Sequence, residues 1–176
     1  ATARTLHPGE QHDYGSTKAE SQLRSLPGSL EETAKAVRER GREALVLRLD
    51  LLDAASIDTA LDRTYAEWGH IDLLLNNGIY QGPGLMERLA DLRPDEVRTI
   101  FEGNVFAQLR ITQRVVAAML ERGRGGTVID MTSGSALIDP PRPAGEGGRG
   151  YASAASTAAF PKPAGPLPVA PGDAGT

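Results

Sequence analysis

Between Ile71 and Asn77 the chain reads Ile-Asp-Leu-Leu-Leu-Asn-Asn, an apolar run with no charge after Asp72 that stops in two amides and Gly78. An apolar run this short, bounded by turn residues, predicts a strand buried on both faces, as in a parallel sheet. Ligands of open parallel sheets sit outside the carboxyl ends of the strands. Asn76 and Asn77 stand at such an end, where their amides can donate and accept hydrogen bonds. The plainer alternative is that they only close the turn before Gly78.

The flanking segments support a layered α/β arrangement. Ser29 and Glu32 have capping-box spacing, Leu30, Ala34 and Val37 share one helical face, and Gly41 supplies a left-handed stop. Ala44–Asp50 then reads as a strand ending in a carboxylate. A second helix is predicted from Asp53 or Ser56, with Ile57, Ala60, Leu61, Thr64, Tyr65 and Trp68 in one buried stripe and Gly69 as its end. A third opens at Pro94, with Asp95 and Glu96 at the positive dipole end. It is expected to run to about Arg122, roughly 43 Å at the α-helical rise. Thr127–Met131 is the next strand, ending in Thr132-Ser133-Gly134-Ser135. Helix and strand therefore alternate over residues 29–135, which predicts right-handed crossovers and a parallel sheet with helices on its faces.

The ends differ in composition. Residues 1–28 carry turn chemistry at Pro8-Gly9, Gly15 and Pro27-Gly28 and are expected to be an irregular head. Eight of the 12 prolines lie in 140–171. Prolines from Pro161 onward cannot sit inside a helix, so 138–176 is expected to be a largely irregular Pro/Gly-rich tail, with a short helical turn allowed at Ala152–Phe160. Residues 1–137 then form one partial domain. The chain opens at Ala1 rather than Met, so its true start is expected upstream.

The 176 residues suffice for one domain with a core, and a net charge of −4 with mixed signs advertises neither nucleic acid nor an anionic membrane. No run is long enough to span a bilayer. Cys is absent, which excludes disulfides, thiol catalysis and cysteine–metal sites and suits a cytoplasmic setting. His7 and His12 make no convincing metal pair, so no metal site is predicted.

Two polar residues stand out. Asn104 lies seven positions after Val97, about two helical turns, so it returns to the apolar face. An unpaired buried amide costs about 1–3 kcal/mol, so partners are expected. They are either a neighbouring backbone or groups beneath a site at the strand ends. Ser133 follows a strand at the same edge as Asn76, where its hydroxyl can bond a substrate oxygen; Thr-Ser-Gly-Ser is equally ordinary turn composition.

Asp50, Asn76-Asn77, Asn104 and Ser133 occur in an order that resembles the short-chain dehydrogenase/reductase family over roughly residues 29–137. The resemblance implies an incomplete Rossmann-like three-layer fold and an oxidoreductase using NADP or NAD on a small carbonyl or alcohol substrate. It implies that Asp50 contacts adenine, that Asn76-Asn77-Gly78-Ile79 stands for the family's Asn-Asn-Ala-Gly turn supporting the cofactor, and that Ser133 orients the carbonyl. Asn104 would position a water and a Lys. Arg4, at the tail of the family's second strand, would meet the 2′-phosphate of NADP.

The departures are specific. The family's first strand and Gly-rich phosphate loop are absent. Gly145-Glu146-Gly147-Gly148-Arg149-Gly150 spells G-x-G-x-x-G but follows a Pro-rich stretch rather than a strand, and is read as a loop. Tyr14-Gly15-Ser16-Thr17-Lys18 spells the catalytic Tyr-x-x-x-Lys at the wrong end of the chain. In Tyr151–Phe160, alignment through Ala-Ala-Phe puts the family's Tyr on Ser153 and its Lys on Thr157. Ser153 is far too basic for proton transfer and Thr157 carries no charge. Tyr151, two residues away, would be a displaced proton donor. In the family's strand order, 3-2-1-4-5-6-7, the strand at Ala44–Asp50 lies apart from the one at Ile71–Asn76. Either those two pair directly, or another chain fills the gap, as in a homo-oligomer, or edges stay open. The alternative to an enzyme is a non-catalytic remnant of the fold or a partner-binding module.

Overall fold

A computed structural model describes residues 1–10, 28–138, 144 and 150–159. The Tyr14–Lys18 motif, the glycines at 145–148 and the prolines from 161 lie outside the described residues. In chain order the elements are β1 (Thr2–Ala3), α1 (Leu30–Arg38), β2 (Leu47–Arg48), α2 (Ala54–Trp68), β3 (Leu73–Asn76), α3 (Pro94–Phe101), a π-helical turn (Glu102–Phe106), α4 (Ala107–Glu121), β4 (Thr127–Asp130), a 3-10 turn (Gly134–Ala136) and α5 (Tyr151–Ala159).

The strands pair in two parallel couples, β1 with β2 and β3 with β4. Direct pairing of the Ala44–Asp50 segment with β3 is therefore not what occurs among the described residues. The strands at Leu47–Arg48 and Leu73–Asn76 are also shorter than the apolar runs that announced them. Apolar composition marks burial, whereas a ladder requires a neighbour with free backbone groups along its whole length.

The helix starts follow the sequence closely. Ser29 Oγ accepts the Glu32 N–H at 3.1 Å, and Asp53 Oδ1 accepts the N–H groups of Ala55 and Ser56 at 2.9 and 3.2 Å. Each satisfies an amide that the first helical turn leaves without an internal partner. Gly69 ends α2 at φ 74°, a conformation in which a side chain would be strained.

The main core forms between α2 and α4 and beneath β3. Ile57 and Leu61 pack with Ala107, Ile111, Val115 and Met119, and Leu49, Leu51, Tyr65, Ile71 and Leu74 close around them. Trp68, expected in the same stripe, is 41% exposed at the last position of α2. A second cluster joins Leu85, Ile100 and Ala152 and carries α5 onto α3.

Two expectations need correction. The strand predicted to be buried on both faces is covered on one. Leu74 and Asn76 face the helices, whereas Leu73 and Leu75 are 55% and 50% exposed. Their neighbours Ile129 and Met131 are exposed as well. The long third helix is not one regular α-helix, because the π-turn interrupts it at Glu102–Phe106. At the tail, the short turn allowed at Ala152–Phe160 is a nine-residue helix starting at Tyr151.

Candidate active site at the carboxyl rim

Parallel pairing brings the carboxyl ends of β3 and β4 to one edge, with Leu73 opposite Thr127 and Asn76 opposite Asp130. The ladder continues one step further, where the Met131 N–H donates to the Asn76 carbonyl at 2.9 Å. The segment 131–133 therefore leaves the sheet beside Asn77. Asn77, Gly78 and Ile79 are exposed there, and Ser133 is half-buried.

Asn76, expected to face the cofactor, turns its side chain inward. Its Nδ2 donates to Asp130 Oδ1 at 2.7 Å and to Thr112 Oγ1 at 2.9 Å, and the residue is buried. One amide thus ties the ends of two strands to α4. Neither Asp130 nor Thr112 was singled out in the sequence, where a carboxylate at a strand end and a helical threonine carry no distinctive signal.

Asn104 is buried on the apolar face, as its position predicted, and it has partners. Its Oδ1 accepts the Tyr80 N–H at 2.6 Å, and its Nδ2 donates to Ser156 Oγ at 3.3 Å. One bond therefore goes to backbone, as the plainer alternative expected, and the other to a side chain of α5. Gln108, one turn on, donates from Nε2 to the Gly78 carbonyl at 2.8 Å. Gly103 permits the approach, since a Cβ there would lie 2.6 Å from Tyr80 Cβ and 3.4 Å from Leu52 Cδ2. The loops after β2 and β3 thus lean on the same π-turn. π-Turns inside α-helices recur at functional sites because they turn helix groups out of register.

Asp50 sits half-buried at the end of β2. Its Oδ1 accepts the Leu52 N–H at 2.9 Å and its own N–H donates to Ser56 Oγ at 3.0 Å, so the carboxylate is held in a local turn. Arg4 follows β1, which fits the strand expected there. Its carbonyl accepts a hydrogen bond from Arg48 Nη1. Arg48 Nη2 reaches Glu10 Oε1 at 2.7 Å, and the Leu6 and His7 N–H groups donate to Glu10 Oε2 at 2.7 and 3.2 Å. These contacts, the Leu6 amide foremost, hold the Glu10 carboxyl down at about 2.

After Ser133 the chain makes its 3-10 turn, with the Ala136 N–H donating to the Ser133 carbonyl at 2.9 Å. That turn packs against α5. On α5, Tyr151 is 58% exposed, whereas Ser153 and Ser156 are fully buried. Thr157 Oγ1 donates to the Ser153 carbonyl at 2.7 Å. Among the described residues no group of three or more His, Asp or Glu is placed to hold a metal ion, and no helix is long and apolar enough to cross a membrane.

The family model described as short chain dehydrogenase matches residues 20–145. The chain belongs to the short-chain dehydrogenase family. Sorbitol dehydrogenase of Cereibacter sphaeroides is 32% identical to it over 115 residues, which are 62% of this chain and 44% of that protein. A short-chain type dehydrogenase/reductase from Mycobacterium marinum superposes with a TM-score of 0.63 at 26% identity, covering 73% of this chain and 49% of that one. A gluconate 5-dehydrogenase from Burkholderia cenocepacia, solved with NADP and tartrate, gives 0.57 at 26% identity, with 73% and 46% covered. This chain thus spans less than half the length of each of these short-chain dehydrogenases. Its Rossmann-like class is that of the family, represented by part of the full sheet.

Proposed function

We propose that this chain is part of an NAD(P)-dependent oxidoreductase acting on a small carbonyl or alcohol compound. The observation that carries the reading is that the loops after β2 and β3 both pack on the π-turn that holds Asn104, through Leu52 and Tyr80, while the chain leading to Ser133 leaves β4 beside the end of β3. Asp50 and Arg4 would receive the adenosine end of the cofactor, Arg4 favouring a 2′-phosphate. Asn77 would line the nicotinamide side, with Asn76 holding the rim from behind. Exposure of Asn77–Ile79 and half-exposure of Ser133 fit a ligand laid across the strand ends. The cofactor would supply hydride transfer, and Ser133 would orient the substrate oxygen.

The proton step is the weak point of this chain. Ser153 and Thr157 occupy the positions where the family carries Tyr and Lys. A buried aliphatic hydroxyl is a poor acid at neutral pH. Tyr151 is exposed and two residues away, about 200° around a helix. Turnover by this chain is therefore expected to be slow or absent even where cofactor binds. The second reading, a non-catalytic module that binds a partner, is favoured by the apolar face of β3 and β4 that is uncovered among the described residues.

Titration with NADPH and NADH, followed by nucleotide fluorescence, tests the first reading. Saturable binding in the micromolar range supports it, and no binding up to millimolar nucleotide rejects it in favour of the second. A carbonyl-reduction assay under saturating nucleotide then reads the proton step separately.

A further inference from the structure

Ser156 is buried to 0% exposure on α5, and its hydroxyl makes two hydrogen bonds. Its oxygen accepts from Asn104 Nδ2 at 3.3 Å, and its proton goes to the Ser153 carbonyl one turn back at 3.2 Å. Asn104 in turn accepts the Tyr80 N–H through Oδ1 at 2.6 Å. The donors and acceptors run one way, from the Tyr80 amide to Asn104 and from the Asn104 amide to Ser156 and Ser153. No member is asked to donate twice from one proton.

We infer that Ser156 is a positioning residue, the anchor of a buried polar relay that holds the π-turn and through it the loop after β3. The alternative role for a small buried residue is simple helix packing, which any residue of similar volume would fill. Three observations favour the relay. A π-turn needs a reason to persist, because its hydrogen bonds are strained relative to the α-helix on either side. Here the side chain at its centre is bonded to a neighbour at both ends. Gly103 accepts Tyr80 at a distance that no side chain would tolerate, so the loop can seat only while the turn keeps its shape. Asn104 and Ser156 are both buried, which makes a lost partner costly for Asn104. Ser156 thus does for the loop what a distant wedge does for a hinge. It acts through Asn104 and touches no substrate or cofactor. The inference rests on the cofactor reading only for what the held loop serves.

Amide hydrogen exchange of the full chain tests it. Ser156→Ala leaves Asn104 Nδ2 without its acceptor, and the Tyr80 amide is expected to exchange about tenfold faster. Val115→Ala removes a fully buried side chain from the α2/α4 core instead and serves as the comparison. It is expected to lower the Tm at least as much while leaving Tyr80 exchange, relative to global opening, unchanged. In the unmodified chain the Asn104 side-chain amide protons are expected to resist exchange, a readout that needs no variant. With NADPH as probe, Ser156→Ala is expected to weaken binding about tenfold and Val115→Ala to leave it unchanged. Tyr80 exchange that responds equally to both variants overturns the relay, as does free exchange of the Asn104 side-chain amide. A chain that binds no NADPH, yet shows the selective Tyr80 effect, rejects the cofactor reading and upholds the relay.

Discussion

The two faces of the β3/β4 pair differ in composition and in fate, and the wholly apolar one is the exposed one. One face presents Leu74, Asn76, Val128 and Asp130 to α2 and α4 and is closed by an amide network. The other presents Leu73, Leu75, Ile129 and Met131, and among the described residues it meets solvent. Alternation along a strand is local, so both rows are written by the same period of two. Coverage is a property of layers, and the chain spans less than half of the relatives that have the full sheet. The contrast teaches that apolar character on a strand reports what a face is built to meet, and only packing reports what it has met.

The sharpest way to break that contrast is to truncate both faces. Ile57→Ala, in the covered core, is expected to cost about 2–5 kcal/mol, read as a lower midpoint in urea. Leu75→Ser, on the bare face, is expected to fall within about 0.5 kcal/mol of the parent in the same measurement. Equal losses would mean that something covers the bare face in solution, and the distinction would collapse.

Asn76→Ala probes the network that closes the covered face. It strips donors from Asp130 and Thr112 together, and a loss of about 1–3 kcal/mol is expected. A neutral result would show that water replaces the amide and that the strand ends are looser than their geometry.

Smaller effects belong to the surface. Glu10 has a folded-state carboxyl held at about 2, below its ordinary value of 4.5. Between those two values the unfolded chain binds more protons, so this contribution is present above the ordinary carboxylate range and fades as pH falls toward 2. The measurement is the protection of the Leu6 and His7 amides relative to their intrinsic exchange rates, which is expected to fall as pH drops across that window and to stay constant at neutral pH. The smallest effect is expected for Asp58→Asn. Arg110 and Arg114 hold Asp58 across α2 and α4, with contacts of 2.5 and 3.1 Å, and the Arg110 hydrogen bond is the first cause of its lowered pKa. The pair is solvent-washed, so any loss in Tm is expected to be slight and to vanish in molar salt.

The capped starts of α1 and α2 were legible because their signals are local: Ser29 and Asp53 bond amides within three residues, and Gly69 needs only its own backbone freedom. The burial of Asn104 was legible too, since an amide on an apolar face announces a partner. The identity of the partners was not. Tyr80 and Ser156 lie 24 and 52 residues away, and nothing in either neighbourhood marks them. The π-turn was hidden for the same reason. Residues 102–106 are compatible with a plain α-helix, and the residues that close on the turn, Tyr80 and Leu52, come from distant loops.

What the amino-acid order determined by itself is the succession of helices and strands over residues 29–135 and where α1, α2 and α3 begin, because hydrogen bonds and periodicities of a few residues decide those. Tertiary structure alone decided that β1 takes β2 and β3 takes β4, that the row with Leu74 and Asn76 is covered while the row with Leu73 and Leu75 is exposed among the described residues, and that the long helix opens at Asn104. Each of those outcomes depends on which distant backbone or side chain arrives to fill a hydrogen bond or cover an apolar surface, and a local pattern carries no record of its arrival.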